Sequence, residues 1–378
     1  MKKDQVMRYA ELQATSNFSF LRGGSHPAEL VEQAAKLGYT KIAITDRNTL
    51  AGIVRAHVAA KKQNIGLIPS CRLDLLDGPS LLAYPANKEA YARLSALLTL
   101  GNLRAEKGEC HLYKADVYQY SKDIKLVVVP PERLTETFDF EAVFPQSLKE
   151  YREAFGANLY IALVRSYLVS DAKKLFRLSQ LSQRLDIPLV ATNDVHYHDR
   201  ERRELQDVLT CVREKCTVSG AGFRLNQNAE RFQKPVEEMY RLFSHYPEAI
   251  ERTQEIAGAC TFSLDELKYV YPHEINPGGR SPMEELKHLT WEGAKIAFNG
   301  NTPEKTVATL KHELRFVEEM GYANYFLFVH DIVREARSRG ILCQGRRTTL
   351  KFTRWLRPPI PLGFSRLKAG PSSPCCRG

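Results

Sequence analysis

Asp194 and His196 stand two residues apart at the end of the run Leu189-Val190-Ala191-Thr192-Asn193-Asp194-Val195-His196-Tyr197-His198. The apolar stretch from Ile187 to Ala191 stops at Asn193-Asp194, as a buried parallel strand stops at a polar C-terminal tip. Strand tips of that kind carry the chemistry of barrel and doubly wound α/β folds. On an extended backbone, residues two apart share a face. One carboxylate and one imidazole aimed at the same space could ligate a divalent metal. The same residues also fit a plainer arrangement, an N-cap Asp and a surface His before a helix that starts near Asp199. Any further ligands must come from other strand tips.

The elements that position them alternate. Strands are predicted at Tyr9–Thr15, Lys41–Thr45, Gly66–Leu75, Ser80–Tyr84, Ile124–Val129, Leu159–Val164 and Ile187–Ala191. Helices are predicted from Pro27 to the stop at Gly38, from Thr49 to Lys62, from Asn87 to Leu100 and from Ser170 to Leu185. This alternation argues for parallel βα units closing into a barrel. Beyond His198 the chain turns helical: Arg200–Arg213, Pro235–Phe243, Pro247–Cys260, Met283–Phe298, Pro303–Met320 and Tyr325–Ser338. A Pro- and Gly-rich linker spans Pro272–Pro282, and a strand is expected at Ile341–Cys343.

The composition of the 378 residues, 43% hydrophobic and 26% charged, is that of a soluble globular protein. No apolar run reaches the roughly 18 residues of a membrane span, and the N-terminus lacks the apolar core of a signal peptide. Eight cysteines are scattered, and Cys211 and Cys216 lack the second pair of a zinc site. A reduced, cytoplasmic protein is expected. The formal charge is +10, but residues 347–378 hold seven Lys or Arg and no acid, so the remainder carries only +3. Net charge is therefore weak evidence for nucleic acid.

Three strand tips resemble the polymerase-and-histidinol-phosphatase (PHP) domain at the N-terminus of bacterial C-family DNA polymerase alpha subunits. They are the segment Tyr9-Ala10-Glu11-Leu12-Gln13-Ala14-Thr15 running on to Leu21, the segment Ile44-Thr45-Asp46-Arg47-Asn48-Thr49-Leu50-Ala51-Gly52, and Ala191 to His198. Ser25-His26-Pro27 and Leu50 to His57 fit the error-prone, damage-inducible branch. Glu313 to Leu327 resembles the start of the polymerase palm. The resemblance runs over residues 8 to 346. It implies a distorted PHP-type (β/α)7 barrel at 1–270 and a mostly helical, incomplete palm segment at 271–346. Residues 347–378 follow as a basic, Pro-rich tail, read either as a nucleic-acid-binding arm or, better given its lack of periodicity, as a non-native or disordered end.

The departures from the family decide the chemistry. Where the PHP pattern has a His-x-His, this chain has Gln13 and Thr15, and Asn17 replaces an Asp. Arg47 replaces a His at the second tip and Arg72 a Glu at the third. Asp194 and His196 match, and His111 is a looser remnant. Metal clusters need anionic and imidazole ligands. At roughly 5 Å and an effective dielectric near 20, each Arg would oppose a divalent ion by several kcal/mol. The expectation is a degenerate site, with an Arg paired to Asp194 or another acid and no bound cofactor.

The palm resemblance implies a triphosphate-cradling turn, which Gly345 and Arg346 begin and Arg347-Thr348-Thr349 interrupts. No Asp or Glu follows Arg346, so the Mg²⁺ of the full-length family enzyme has no palm ligands here. The resemblance thus implies the N-terminal portion of an error-prone DNA polymerase, acting in lesion bypass and repair synthesis, with DNA and other polymerase or mutagenesis-complex subunits as its partners. The competing readings are a PHP-type metal-dependent phosphoesterase and a non-catalytic structural module. Phe326, Leu327 and Val329 are expected to be exposed apolar positions of an uncovered half-domain.

Overall fold

The computed structural model describes residues 7–267 and 279–341. The chain divides into two compact units, 1–268 and 269–378.

In the first unit, eight strands form two sheets. Strands β1 (Ala10–Ala14), β2 (Lys41–Ile44) and β3 (Gly66–Pro69) make a three-stranded parallel sheet in that order. Strands β4 (Cys71–Leu73), β5 (Leu81–Pro85), β6 (Ile124–Val128), β7 (Leu159–Val164) and β8 (Leu189–Thr192) make the second sheet, also in chain order. Pairing is antiparallel from β4 through β6 and parallel from β6 through β8. Isolated bridges, Ala14 to Val195 and Arg47 to Arg72, link the two sheets. The expectation of parallel strands throughout is corrected at β4–β6, which pair antiparallel, and the two sheets touch at their ends without a continuous ladder.

Connection length explains the change. Seven residues, 74–80, join β4 to β5, and a parallel crossover needs about a dozen or more. The region expected as one strand, Gly66–Leu75, breaks at Ser70. Its hydroxyl donates to the carbonyls of Ile44 and Ile68 at 2.8 and 3.0 Å.

The strands are buried on both faces, so their residues alternate between two cores. Leu159, Ile161 and Leu163 of β7 join the larger core, while Tyr160, Ala162 and Val164 join the smaller. The smaller core is filled by Leu12, Ile68, Tyr84 and Tyr160 and is floored by Ile256 and Ala257 of a helix at Pro247–Ala259. The larger core packs the helices α1 (Pro27–Lys36), α2 (Ile53–Gln63), α3 (Lys88–Arg104), α4 (Lys114–Tyr120), α5 (Val143–Phe155) and α6 (Asp171–Leu185). Helices α4 and α5 lie in a stretch whose sequence looks irregular. Then come α7 (Arg203–Glu214), α8 (Val236–Leu242) and α9 (Pro247–Ala259).

The second unit holds α10 (Pro282–Ala297), α11 (Glu304–Met320) and α12 (Ala323–Ser338). Ser281 and Glu284 form a capping box with Pro282 at the first helical position. Gly321, at φ 68°, ends α11 in the left-handed conformation that glycine adopts without penalty. Leu286, Leu314, Val317, Ala323 and Leu327 form the core of this unit. Leu327, expected to be exposed, is 3% exposed, because it sits on the face of α12 that meets this core. Val329 is exposed as expected, and Phe326 is partly buried against the core. The strand expected at 341–343 lies outside the described residues except for Ile341, and Gly345, Arg346 and the tail lie wholly outside them.

Candidate functional site

The polar ends of β1, β2, β4 and β8 meet at a cleft of about 700 Å³ whose lining includes Gln13, Arg47, Arg72, Asp194, His196 and Arg231. The β1–β8 bridge sets Asp194 beside Gln13: the Thr15 amide donates to the Val195 carbonyl and the Val195 amide to the Gln13 carbonyl, each at 2.8 Å. Asp194 itself takes a left-handed φ of 47° just past the strand.

Both oxygens of Asp194 are committed. The Gln13 amide donates to Oδ1 at 2.7 Å, and Gln13 is in turn held by the Thr192 hydroxyl at 2.9 Å. The Arg231 guanidinium pairs with Oδ2 and also donates to Glu132 at 2.8 Å. His196 Nε2 lies 3.6 Å from Asp194 Oδ1, and its Nδ1 is buried with no hydrogen-bond partner among the described residues. Burial, reinforced by the charges of Arg47 and Arg72, lowers the His196 pKa to about 3, so the imidazole is neutral. The N-cap role that Asp194 could have played belongs to Asp199, which accepts from the Glu201 amide at 2.9 Å.

The second tip is equally saturated. Asp46 is 1% exposed and accepts from the Ser16 amide and hydroxyl and from the Ser19 hydroxyl at 2.6 to 2.8 Å. Next to it the Arg47–Arg72 bridge places two guanidiniums around one carboxylate, Asp74. Arg47 donates to Oδ2 at 2.8 Å and Arg72 to Oδ1 at 2.7 Å, and the Ser80 hydroxyl adds a third bond at 2.7 Å. The arginines that replace the expected ligands thus pair with an acid, and that acid is Asp74 rather than Asp194. Burial pushes the Asp74 carboxyl up, but Arg72 and Arg47 together hold it below the usual range.

These residues do not fit a PHP metal cluster. Positions 13 and 15 hold an amide and a hydroxyl, and Arg47, Arg72 and Arg231 at the cleft take up Asp74 and Asp194. Among the described residues no group of three or more His, Cys, Asp and Glu side chains could hold a metal ion. His111 lies away from the cleft and meets Glu109 at 3.0 Å. Sequence reasoning missed Asp74 and Arg231. Asp74 was within reach, since Arg72 and Asp74 are two apart and share a face. Arg231 carries no local signal, because it arrives from a loop that only the tertiary structure brings to β8.

The PHP domain family matches residues 11–166. The family described as "Bacterial DNA polymerase III alpha NTPase domain" matches residues 284–348. In sequence the chain is similar to error-prone DNA polymerases. It is 50% identical over 339 residues to the Error-prone DNA polymerase of Caulobacter vibrioides, a match covering 89% of this chain and 31% of that protein. It is 46% identical over 347 residues to that of Rhodopseudomonas palustris, covering 90% and 31%. The chain spans about a third of the length of these relatives. A loose structural similarity, with a TM-score of 0.39 and 14% identity over 50% of this chain and 88% of the other, links it to an amidohydrolase from Chromobacterium violaceum.

Proposed function

We propose that this chain is the PHP-bearing N-terminal portion of an error-prone DNA polymerase, in which the PHP domain is a structural module and not a phosphoesterase. On this reading residues 1–270 are a distorted barrel and 271–346 the entrance to a palm. The longer protein takes DNA, Mg²⁺ and other polymerase subunits as its partners. The observation that carries the non-catalytic reading is the double commitment of the carboxylates. Asp194 is held by Gln13 and Arg231, and Asp74 is held by Arg47 and Arg72. A two-metal phosphoesterase needs such groups free to ligate, and displacing a buried guanidinium from its carboxylate costs several kcal/mol.

The test uses the purified chain in two assays, hydrolysis of phosphomonoesters with added Zn²⁺ or Mn²⁺, and primer extension with Mg²⁺ and four deoxynucleotides. Neither activity is expected. Metal-dependent hydrolysis that survives purification to homogeneity defeats the structural-module reading, and template-directed extension shows that the chain carries a nucleotidyl-transfer site of its own.

A further inference from the structure

Behind the cleft lies a smaller cavity of about 70 Å³, lined by Arg22, Arg47, Arg213 and Arg224 together with His196 and Gln206, and by no acidic side chain. We propose that this cavity binds a phosphate group, either free inorganic phosphate or the terminal phosphate of a small phosphorylated compound.

The charge balance there is one-sided. Arg47 shares its one acid, Asp74, with Arg72. Arg213 pairs with Glu214, a rim residue whose side chain is 42% exposed. Arg22 and Arg224 have no ion pair among the described residues. Burial and the charges of Arg47 and Arg213 lower the Arg22 pKa, and the charge of Asp74 offsets them only in part. Guanidiniums are the side chains best suited to forked donation to phosphate oxygens.

The scaffold is built rather than incidental. Arg22 sits on the loop that follows β1. A side chain at Gly23 would meet the Ser16 carbonyl at 2.2 Å, so the loop closes tightly on itself. Helix α7 braces the loop from outside: Gln206 Nε2 donates to the Arg22 carbonyl at 2.7 Å and Arg213 Nη1 to the Leu21 carbonyl at 2.9 Å. Gln206 is 2% exposed, and its Oε1 has no donor among the described residues. Among so many donors, a buried acceptor without a partner matches the O–H of a protonated phosphate, which sulfate lacks at neutral pH.

The experiment is thermal unfolding of the full chain, with inorganic phosphate, thymidine monophosphate or sulfate titrated against sodium chloride at matched ionic strength. A saturable rise in Tm of about 3 °C at ten times Kd is expected with a phosphate. Arg22→Gln and Arg224→Gln each abolish it, and Arg93→Gln on the outside of α3 keeps it. Saturation by inorganic phosphate assigns the free ion, and saturation only by the nucleotide assigns a phosphate monoester. Because phosphate also stabilises proteins by exclusion from their surface, an equal rise in all variants overturns the proposal, as does a sulfate response equal to that of phosphate. Arg224 is exposed, so its variant decides the matter if Arg22→Gln does not fold.

Discussion

The Arg231 guanidinium rests on Oδ2 of Asp194, with the two side chains only 14% and 15% exposed. A metal ion would have to contend with that cation. Arg231 comes from a loop whose carbonyl also accepts the His196 amide at 2.9 Å, so the loop and the strand tip are fixed to each other twice.

Breaking this pair leaves a nearly buried charge without its partner. Arg231→Met is expected to lower stability by about 2–4 kcal/mol. Adding Asp194→Leu to it should restore a large part of that loss, because the pair then disappears together. Urea unfolding of the two single variants and the double variant measures the coupling. An Arg231→Met protein within about 0.5 kcal/mol of wild type would show the pair to be inert.

Asp74 neutralises two guanidiniums, so its loss should be felt more than that of either arginine. Asp74→Asn is expected to cost about 2–3 kcal/mol at neutral pH. The sign with pH follows from the direction of the shift. The folded-state pKa lies below the ordinary value of 3.8. The contribution is therefore present above about pH 4 and is lost as pH falls through the folded value. Acid unfolding curves should show a smaller loss below pH 4 in Asp74→Asn than in wild type, and parallel curves would contradict the assignment.

Glu11 behaves in the opposite way. It is fully buried, and burial raises its pKa from 4.5 to about 7, despite bonds from the Gln13 amide and the Tyr9 hydroxyl at 2.9 Å. Between pH 4.5 and 7 the folded state holds a proton that the unfolded state has released, so stability falls as pH rises through this window. Glu11→Gln removes the dependence. Relative to wild type it should gain up to about 3 kcal/mol between pH 4.5 and 7.5. A difference that stays constant with pH means that Glu11 remains ionised in the fold.

Metal analysis gives the fourth expectation. Protein purified without chelator and loaded with excess Zn²⁺ or Mn²⁺ should retain no stoichiometric cluster after desalting. Elemental analysis finding two or more ions per chain would reopen the phosphoesterase reading.

Residue types and local periodicity were enough to place most of the elements. The strands at 10–14, 41–44, 124–128, 159–164 and 189–192 and the long helices coincide with runs readable at periods of 2 and 3.6. The residue types at positions 13, 15, 47 and 72 were equally legible, because an amide, a hydroxyl and two guanidiniums make a poor metal-ligand set wherever the chain carries them. What the sequence could not decide was pairing through space. The short 74–80 connection turns β5 antiparallel, and the strands fall into two sheets. Asp74 rather than Asp194 collects Arg47 and Arg72, and Arg231 reaches β8 from a distant loop. Leu327 is buried because α12 turns that face to the core of its own unit. Each of these depends on which surfaces meet after the chain has folded back on itself, and no local pattern in the sequence encodes that distance.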